Sequence, residues 1–318
     1  MRKTAVLTGA AGFAGIHLLN HLLMHGYRVY AVVRKNSPHN IRLQEQNLLL
    51  NDQAYRDAFG WTGAGYTGEL VVIEIDDSDF ATLPEHINEP VDLFFHMASV
   101  PGNGRDDIAA AYRNVTDANA AVTAASALKC RRFIGTGSQA MYGVVDGTIT
   151  EDIRYNSFNM YGAAKASICE LTRGQCKCLG MEWCFGTIFS LIGEYEAQGR
   201  LIPDLIARLK NGDVSIKLSA GTQNWDYLDA GDCAEAFIRI AEKGVDGENY
   251  NVANGDYHPL KYFTEKLVNV YSQNGASVVY GEESFPRVNL EPDISKLRKD
   301  TAWRPGIQFL DTIKRVYG

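Results

Sequence analysis

The sequence predicts an α/β protein in which a doubly wound parallel sheet is followed by a smaller C-terminal α+β lobe. Three observations predict it. Through roughly the first 190 residues, apolar runs of strand length alternate with amphipathic helical segments. Runs such as Leu93-Phe94-Phe95 show no polar alternation, as expected of strands buried on both faces. Successive strands are separated by helix-length crossovers, which implies right-handed βαβ units and parallel pairing.

The elements follow in order. Residues 3–8 are an apolar run ending in glycine, read as a buried strand. Residues 13–25 carry Ile16, Leu18, Leu19, Leu22 and Leu23 at helical spacing and close at Gly26, a C-cap residue. Residues 28–33 form the second strand. Residues 41–59 read as a helix with polar excess. Residues 60–68 hold four glycines without periodicity and read as a loop. Strands follow at 70–75 and 91–97, then an Ala-rich helix at 108–128. A strand at 132–138, a helix at 160–179 and a strand at 182–190 complete the alternation. Beyond it the rhythm breaks into shorter elements at 202–210, 214–218, 232–243 and 260–271. A length of 318 residues suits about two domains. The division expected is 1–185 for a dinucleotide-binding domain and 186–318 for a substrate lobe, with segments such as 226–245 returning to the first.

Composition excludes several classes. With 46% hydrophobic and 22% charged residues the chain is not disordered. A formal net charge of −7 argues against coating nucleic acid, which needs a basic face, but leaves an anionic small ligand open. No apolar run reaches the ~18–20 residues that span a bilayer, and the start lacks a signal peptide's long apolar region. The expectation is a cytoplasmic protein without a membrane partner. The six cysteines (Cys130, Cys169, Cys176, Cys178, Cys184 and Cys233) form no CxxC, and no HExxH appears. Reduced thiols and no metal site are expected.

Two motifs carry the chemistry. Thr8-Gly9-Ala10-Ala11-Gly12-Phe13-Ala14-Gly15 reads TGxxGxxG between the first strand and the first helix. Glycines there permit a tight turn and close approach of a pyrophosphate, with the helix N-terminus facing the anion. The second strand ends in Val33-Arg34-Lys35, two cations where a carboxylate would bind a ribose 2′-hydroxyl. That favours NADP(H), while NAD(H) stays open. The second motif is Tyr161-Gly162-Ala163-Ala164-Lys165. Its i,i+4 spacing puts phenol and ammonium on one helix face, where a cation favours phenolate and the tyrosine can pass a proton. Ser138 ends the fifth strand, at the crevice of such sheets, and can hold a substrate oxygen. Thr136 is a polar neighbour. Met97 and Ala98 close the fourth strand beside the expected cofactor path.

Together these segments resemble the extended short-chain dehydrogenase/reductases, the group of nucleotide-sugar epimerases, dehydratases and 4-ketoreductases with a Rossmann-type fold. Phe189-Ser190, Leu201-Ile202-Pro203, the segment from Asp226 to Asp232, and Trp303-Arg304-Pro305 extend the resemblance nearly end to end. It implies Ser138, Tyr161 and Lys165 as catalytic residues. It implies an adenine contact from Asp76, with Asp77 as competitor, and a backbone-shaping role for Asn114. Phe189 and Ser190 would line the cofactor and substrate path. It further implies a nucleotide-sugar substrate and a homodimer built through the helices at 108–128 and 160–179. The dehydratases' Asp-Glu pair is replaced by Gln139-Ala140, which removes the acid and base of that elimination. Gly135-Thr136-Gly137-Ser138-Gln139 looks like the reductase branch that includes CDP-abequose synthase. A 4-epimerase, or a reductase of a non-nucleotide carbonyl, stays open. Two departures concern the diphosphate: Trp225 and Thr187 stand where relatives carry arginine. Arg200 or Arg287 would then take the phosphate, with Leu201 and Gln139 among the substrate residues.

Overall fold

Apolar strands with no polar face must be covered on both sides, and the chain does this with a parallel sheet between two helical layers. The computed structural model describes residues 2–62, 65–76, 79–272, 275–283 and 288–318. The first part runs β1 (Thr4–Thr8), α1 (Phe13–Met24), β2 (Arg28–Arg34), α2 (Gln53–Ala58), β3 (Glu69–Ile75), α3 (Leu83–His86) and β4 (Leu93–His96). It continues through α4 (Ile108–Ala127), β5 (Arg132–Ser138), α5 (Met160–Leu179) and β6 (Glu182–Ile188). Then come β7 (Ser190–Ile192), α6 (Leu201–Lys210), β8 (Ile216–Leu218), β9 (Asn224–Trp225), β10 (Tyr227–Asp229) and α7 (Ala230–Lys243). The chain closes with β11 (Glu248–Val252), β12 (His258–Pro259), α8 (Leu260–Tyr271), β13 (Val278–Tyr280), α9 (Ser295–Thr301) and α10 (Phe309–Tyr317).

The sheet has seven strands in the order β11-β6-β5-β4-β1-β2-β3, and every pairing is parallel. The order reverses between β1 and β4, so the crevice for a ligand opens at their carboxyl ends. One face is covered by α1 and α7, whose Leu18, Leu22, Phe237 and Ile240 share a core. The other carries α4 and α5, with Ala118, Val122, Ile168 and Cys176 packed on Phe94 and Phe133. A third core joins α6, α8 and α10 through Leu205, Leu267 and Ile313. Thus α7 and β11, late in the chain, complete the first layer system. Cys178 is exposed and the other five cysteines are buried; all six are free. Among the described residues no helix is long and apolar enough to cross a membrane.

The helix expected over 41–59 is not formed. Gln44, Leu48 and Asp52 are extended, and they separate three short 3₁₀ turns from α2. The cause lies in the asparagines. Asn47 donates to the Ile41 carbonyl (2.8 Å) and Asn51 to that of Glu45 (2.6 Å), competing with helical bonding. Leu43, Leu48, Leu49 and Leu50 are nonetheless buried, so the apolar signal was real and the periodicity misleading.

Three carboxylates fasten later segments of the chain. Asp226, buried and pushed up to about 6 by that burial, accepts the amides of Asn254 and Gly255. Asp229 caps α7 and takes Thr312 (2.6 Å) and Arg315 (2.7 Å). Asp232 accepts the amides of Gly306 and Ile307.

On α1, His17 and His21 stand one turn apart, both fully buried. The Tyr55 hydroxyl bonds His17 Nδ1 (2.7 Å) and His21 Nε2 (3.1 Å), and His21 Nδ1 meets Glu235 (2.8 Å). Burial pushes both imidazoles below their usual range. Below an unfolded value of about 6.5 the unfolded chain therefore binds more protons, and stability is lost as the pH drops. Urea midpoints at pH 7.5 and 5.5 should differ in the wild type. The difference should shrink in His17→Gln/His21→Gln; an unchanged difference would exclude these histidines as its source.

Candidate active site

The phosphate turn is built by backbone approaching backbone. Gly9 has φ +70°, and a Cβ there would lie 2.7 Å from the Ala98 amide nitrogen. A Cβ on Gly15 would collide with the Gly9 carbonyl. The Gly12 amide closes the turn on that same carbonyl (2.9 Å), and the Gly9 amide docks on Val32 at β2 (3.1 Å). Gly12 is the N-cap of α1 and supplies no side-chain cap, so the first-turn amides, with Phe13 and Ala14 half-buried, face the crevice end. A cradle that any Cβ would fill, at an uncapped helix N-terminus, fits a dinucleotide pyrophosphate.

Thr8 locks the neighbouring strand. Its hydroxyl meets His96 Nδ1 (2.9 Å) and accepts from the Ala98 amide (3.3 Å); its carbonyl takes the Met97 amide. His96 is buried and pushed down to about 3, first by burial and then by the charge of Lys165. It is therefore neutral and serves the architecture. Asn114 clamps the loop after β4: its side chain accepts from the Val100 amide (2.7 Å) and donates to the Val100 carbonyl (3.1 Å).

At the second strand's end, Arg34 and Lys35 are exposed, and Lys35 pairs with Asp76 (2.9 Å). Asp77 lies outside the described residues, as does Arg287.

Ser138 sits where β5 ends, its Oγ accepting from the Ala140 amide (3.3 Å). Gly162 lets α5 press on this turn, since a Cβ there would strike the Ala140 carbonyl. Lys165 is buried and donates to the Thr136 carbonyl (3.2 Å), which ties α5 to β5. The Thr136 hydroxyl is buried with no partner among the described residues. Gln139 opens the 3₁₀ turn after Ser138. Tyr161 lies half-buried in a small cavity with Lys165, Asn114, Gly102, Gly104 and Arg105.

Several contributors escape sequence reasoning. Asn159 caps α5 by accepting from Gly162 (2.8 Å), and the Asn-x-Tyr spacing was a usable sign. The Arg105 carbonyl accepts the Tyr161 amide (2.8 Å), while its guanidinium lies 5.8 Å from the Tyr161 ring centre. Arg42 bonds the Ala11 carbonyl (2.9 Å) within the phosphate turn. Neither arginine carries a sequence signal, because loop geometry alone brings them in.

The other residues expected to face a substrate lie at the end of β6 and beyond it. Phe189 is buried with its ring 6.3 Å from that of Tyr142, and Ser190 begins β7 beside Tyr227. Arg200 is exposed at the N-cap of α6, and Leu201 opens that helix. Trp225 packs against two of the cores, its indole nitrogen buried without a partner among the described residues. Thr187 is fully buried and donates to Asn249 (2.9 Å).

A dinucleotide cradle and a Ser-Tyr-Lys set at the carboxyl edge of one parallel sheet define an NAD(P)-dependent enzyme of the extended short-chain dehydrogenase/reductase type. The chain belongs to the NAD dependent epimerase/dehydratase family, whose profile matches residues 5–253. It is 24% identical to a UDP-N-acetyl-alpha-D-glucosaminuronate decarboxylase of Bacillus cytotoxicus, covering 99% of this chain and 97% of that one. It is also 24% identical to the CDP-abequose synthase of Salmonella muenchen, over 80% of this chain and 75% of that one. A UDP-glucuronic acid 4-epimerase from Bacillus cereus, solved as a point mutant with NAD and a fluorinated UDP-sugar, shares the fold. Its TM-score is 0.80 at 21% identity, covering 99% of this chain and 98% of that one.

The turn's geometry makes a direct prediction. Gly9→Ala forces a side chain into a left-handed conformation and against backbone, and should cost about 1–3 kcal/mol. Denaturant unfolding checks this; a loss below about 0.5 kcal/mol would show that the turn can relax.

Proposed function

We propose that the protein reduces the C4 carbonyl of a nucleotide-linked 4-keto-6-deoxysugar with NADPH. The observation that carries this reading is the pairing of an intact Ser138, Tyr161 and Lys165 set with Gln139-Ala140. That site can move a proton at C4 but has no carboxylate pair for eliminating water. The similarity to CDP-abequose synthase and the basic end of β2 support it.

When bound, NADPH supplies the hydride. Tyr161 gives its phenolic proton to the carbonyl oxygen as that oxygen becomes an alcohol. Ser138 donates a hydrogen bond to the same oxygen and holds its developing charge. Lys165, one helical turn away, stabilises the negative charge left on the Tyr161 oxygen until solvent restores the proton. Arg34 and Lys35 would face the 2′-phosphate, and Asp76 the adenine. Gly9, Gly12, Phe13, Ala14, Gly15, Met97, Ala98 and Phe189 would line the dinucleotide. Gln139, Ser190, Arg200, Leu201 and Trp225 would meet the sugar nucleotide. A UDP-sugar 4-epimerase is the second reading, favoured by the fold shared with a solved 4-epimerase. It would use the same three residues to oxidise and re-reduce C4.

The test is a panel of nucleotide sugars and 4-ketosugar nucleotides with NADPH and NADH absorbance followed. Stoichiometric NADPH consumption with a 4-ketosugar is expected. Sugar interconversion without net cofactor change would replace the reading with the epimerase. Tyr161→Phe should lower turnover about 10²–10⁴-fold and leave NADP⁺ affinity within a factor of about two; retained turnover would remove Tyr161 as the proton donor.

The second copy of this chain is the expected protein partner. Ile108 and Tyr112 on α4 are 61% and 69% exposed, and Leu171 and Leu179 on α5 are exposed as well. This apolar row supports a dimer through α4 and α5. Sedimentation should give twice the chain mass, and Tyr112→Asp should shift it toward one; a wild-type monomer at micromolar concentration would end this reading.

A further inference from the structure

Arg42 is a cation without a counter-charge among the described residues. It lies in the 3₁₀ turn Pro38–Leu43, half-buried. One guanidinium nitrogen donates to the Ala11 carbonyl (2.9 Å), and the group lies over the Tyr195 ring, 4.6 Å from its centre. It makes no ion pair with a described residue, and burial pulls its pKa below the usual range. A half-buried guanidinium satisfied by one carbonyl and one ring face is under-compensated, and an anion beside it would remedy that.

The surroundings fix it there. Tyr195 adopts φ +67°, a conformation L side chains rarely take, and its hydroxyl donates to the Asn47 carbonyl (3.0 Å). Tyr195 follows β7, so a segment of the second lobe props a cation against the phosphate turn. The bonded carbonyl, Ala11, lies between Gly9 and Gly12, and the Gly9 amide docks this turn on β2, whose last residue is Arg34. Lys35, the neighbouring cation, is already paired with Asp76. Arg42 therefore bonds the turn itself, while Arg34 ends the strand on which the turn docks.

We propose that Arg42 is a specificity residue that reads the 2′-phosphate of the cofactor's adenosine, an inference resting on the NADP(H) reading above. Tyr195 is its positioning partner. A guanidinium already seated on the turn needs no rearrangement to add a charge-assisted bond to phosphate.

The experiment is calorimetric titration of the purified protein with NADP⁺ and NAD⁺, with no sugar present. Arg42→Ala should weaken NADP⁺ by about ten- to a hundred-fold and NAD⁺ by less than about threefold. The retained NAD⁺ affinity is the control for folding. Arg42→Lys, which keeps charge but loses the planar fork, should fall between. Equal losses for both cofactors, no loss for either, or a wild type that holds both equally would overturn the proposal. If Arg34→Ala removes the NADP⁺ preference while Arg42→Ala changes nothing, the cofactor reading stands and Arg42 has no part in it. A failed reductase reading shows separately, as an inert sugar panel with these affinities intact.

Discussion

The site depends on one constraint: backbone must meet backbone at the carboxyl ends of β1, β4 and β5. Gly9 against Ala98, Gly15 against the Gly9 carbonyl and Gly162 against the Ala140 carbonyl are the three approaches. Any side chain at these points would push the phosphate turn off β4 or lift α5 from the Ser138 turn. The spacing of Ser138, Tyr161 and Lys165 follows from this packing. Tyr161 and Lys165 share a face of α5 by helix geometry, but their distance from β5 is set by the missing Cβ of Gly162.

Polar bonds then lock what the glycines admit. Lys165 reaches a β5 carbonyl, and its charge helps keep His96 neutral. A neutral His96 can share its hydrogen bond with Thr8, and Thr8 holds the start of the loop after β4. Asn114 holds the same loop at Val100, and the carbonyl of Arg105 receives the Tyr161 amide. The glycine turn, α5 and the loop after β4 thus form one connected framework, in which a shift of any member displaces the others.

Much of this was legible in the sequence, for a physical reason. Strand and helix periods and TGxxGxxG are short-range signals, and so are the YxxxK spacing and the serine at a strand end. The structure puts the glycines between β1 and α1, the serine at the end of β5 and the YxxxK pair on α5. The failures were of three kinds. The segment 41–59 has apolar content like a helix, but its asparagines bond locally and break it into turns. Arg42 and Arg105 owe their places to loop paths that depend on contacts far along the chain, such as Tyr195 for Arg42. Thr187 shows a third case. Its substitution for arginine was visible, but not that its hydroxyl would pair inward with Asn249.

The aspartates at 226, 229 and 232 have a consequence for how the chain acquires its fold. Asp229 finds Thr312 and Arg315 only 83 and 86 residues later. At a synthesis rate of about 5–20 residues per second, Asp229 waits several seconds for these partners. Until α7 and β11 are made, α1 lacks its covering helix and the sheet lacks its last strand. The glycine turn therefore emerges well before the elements that cover its layer. The growing chain carries an open sheet edge and an uncovered apolar helix face, the features by which nascent α/β chains engage chaperones or misassociate.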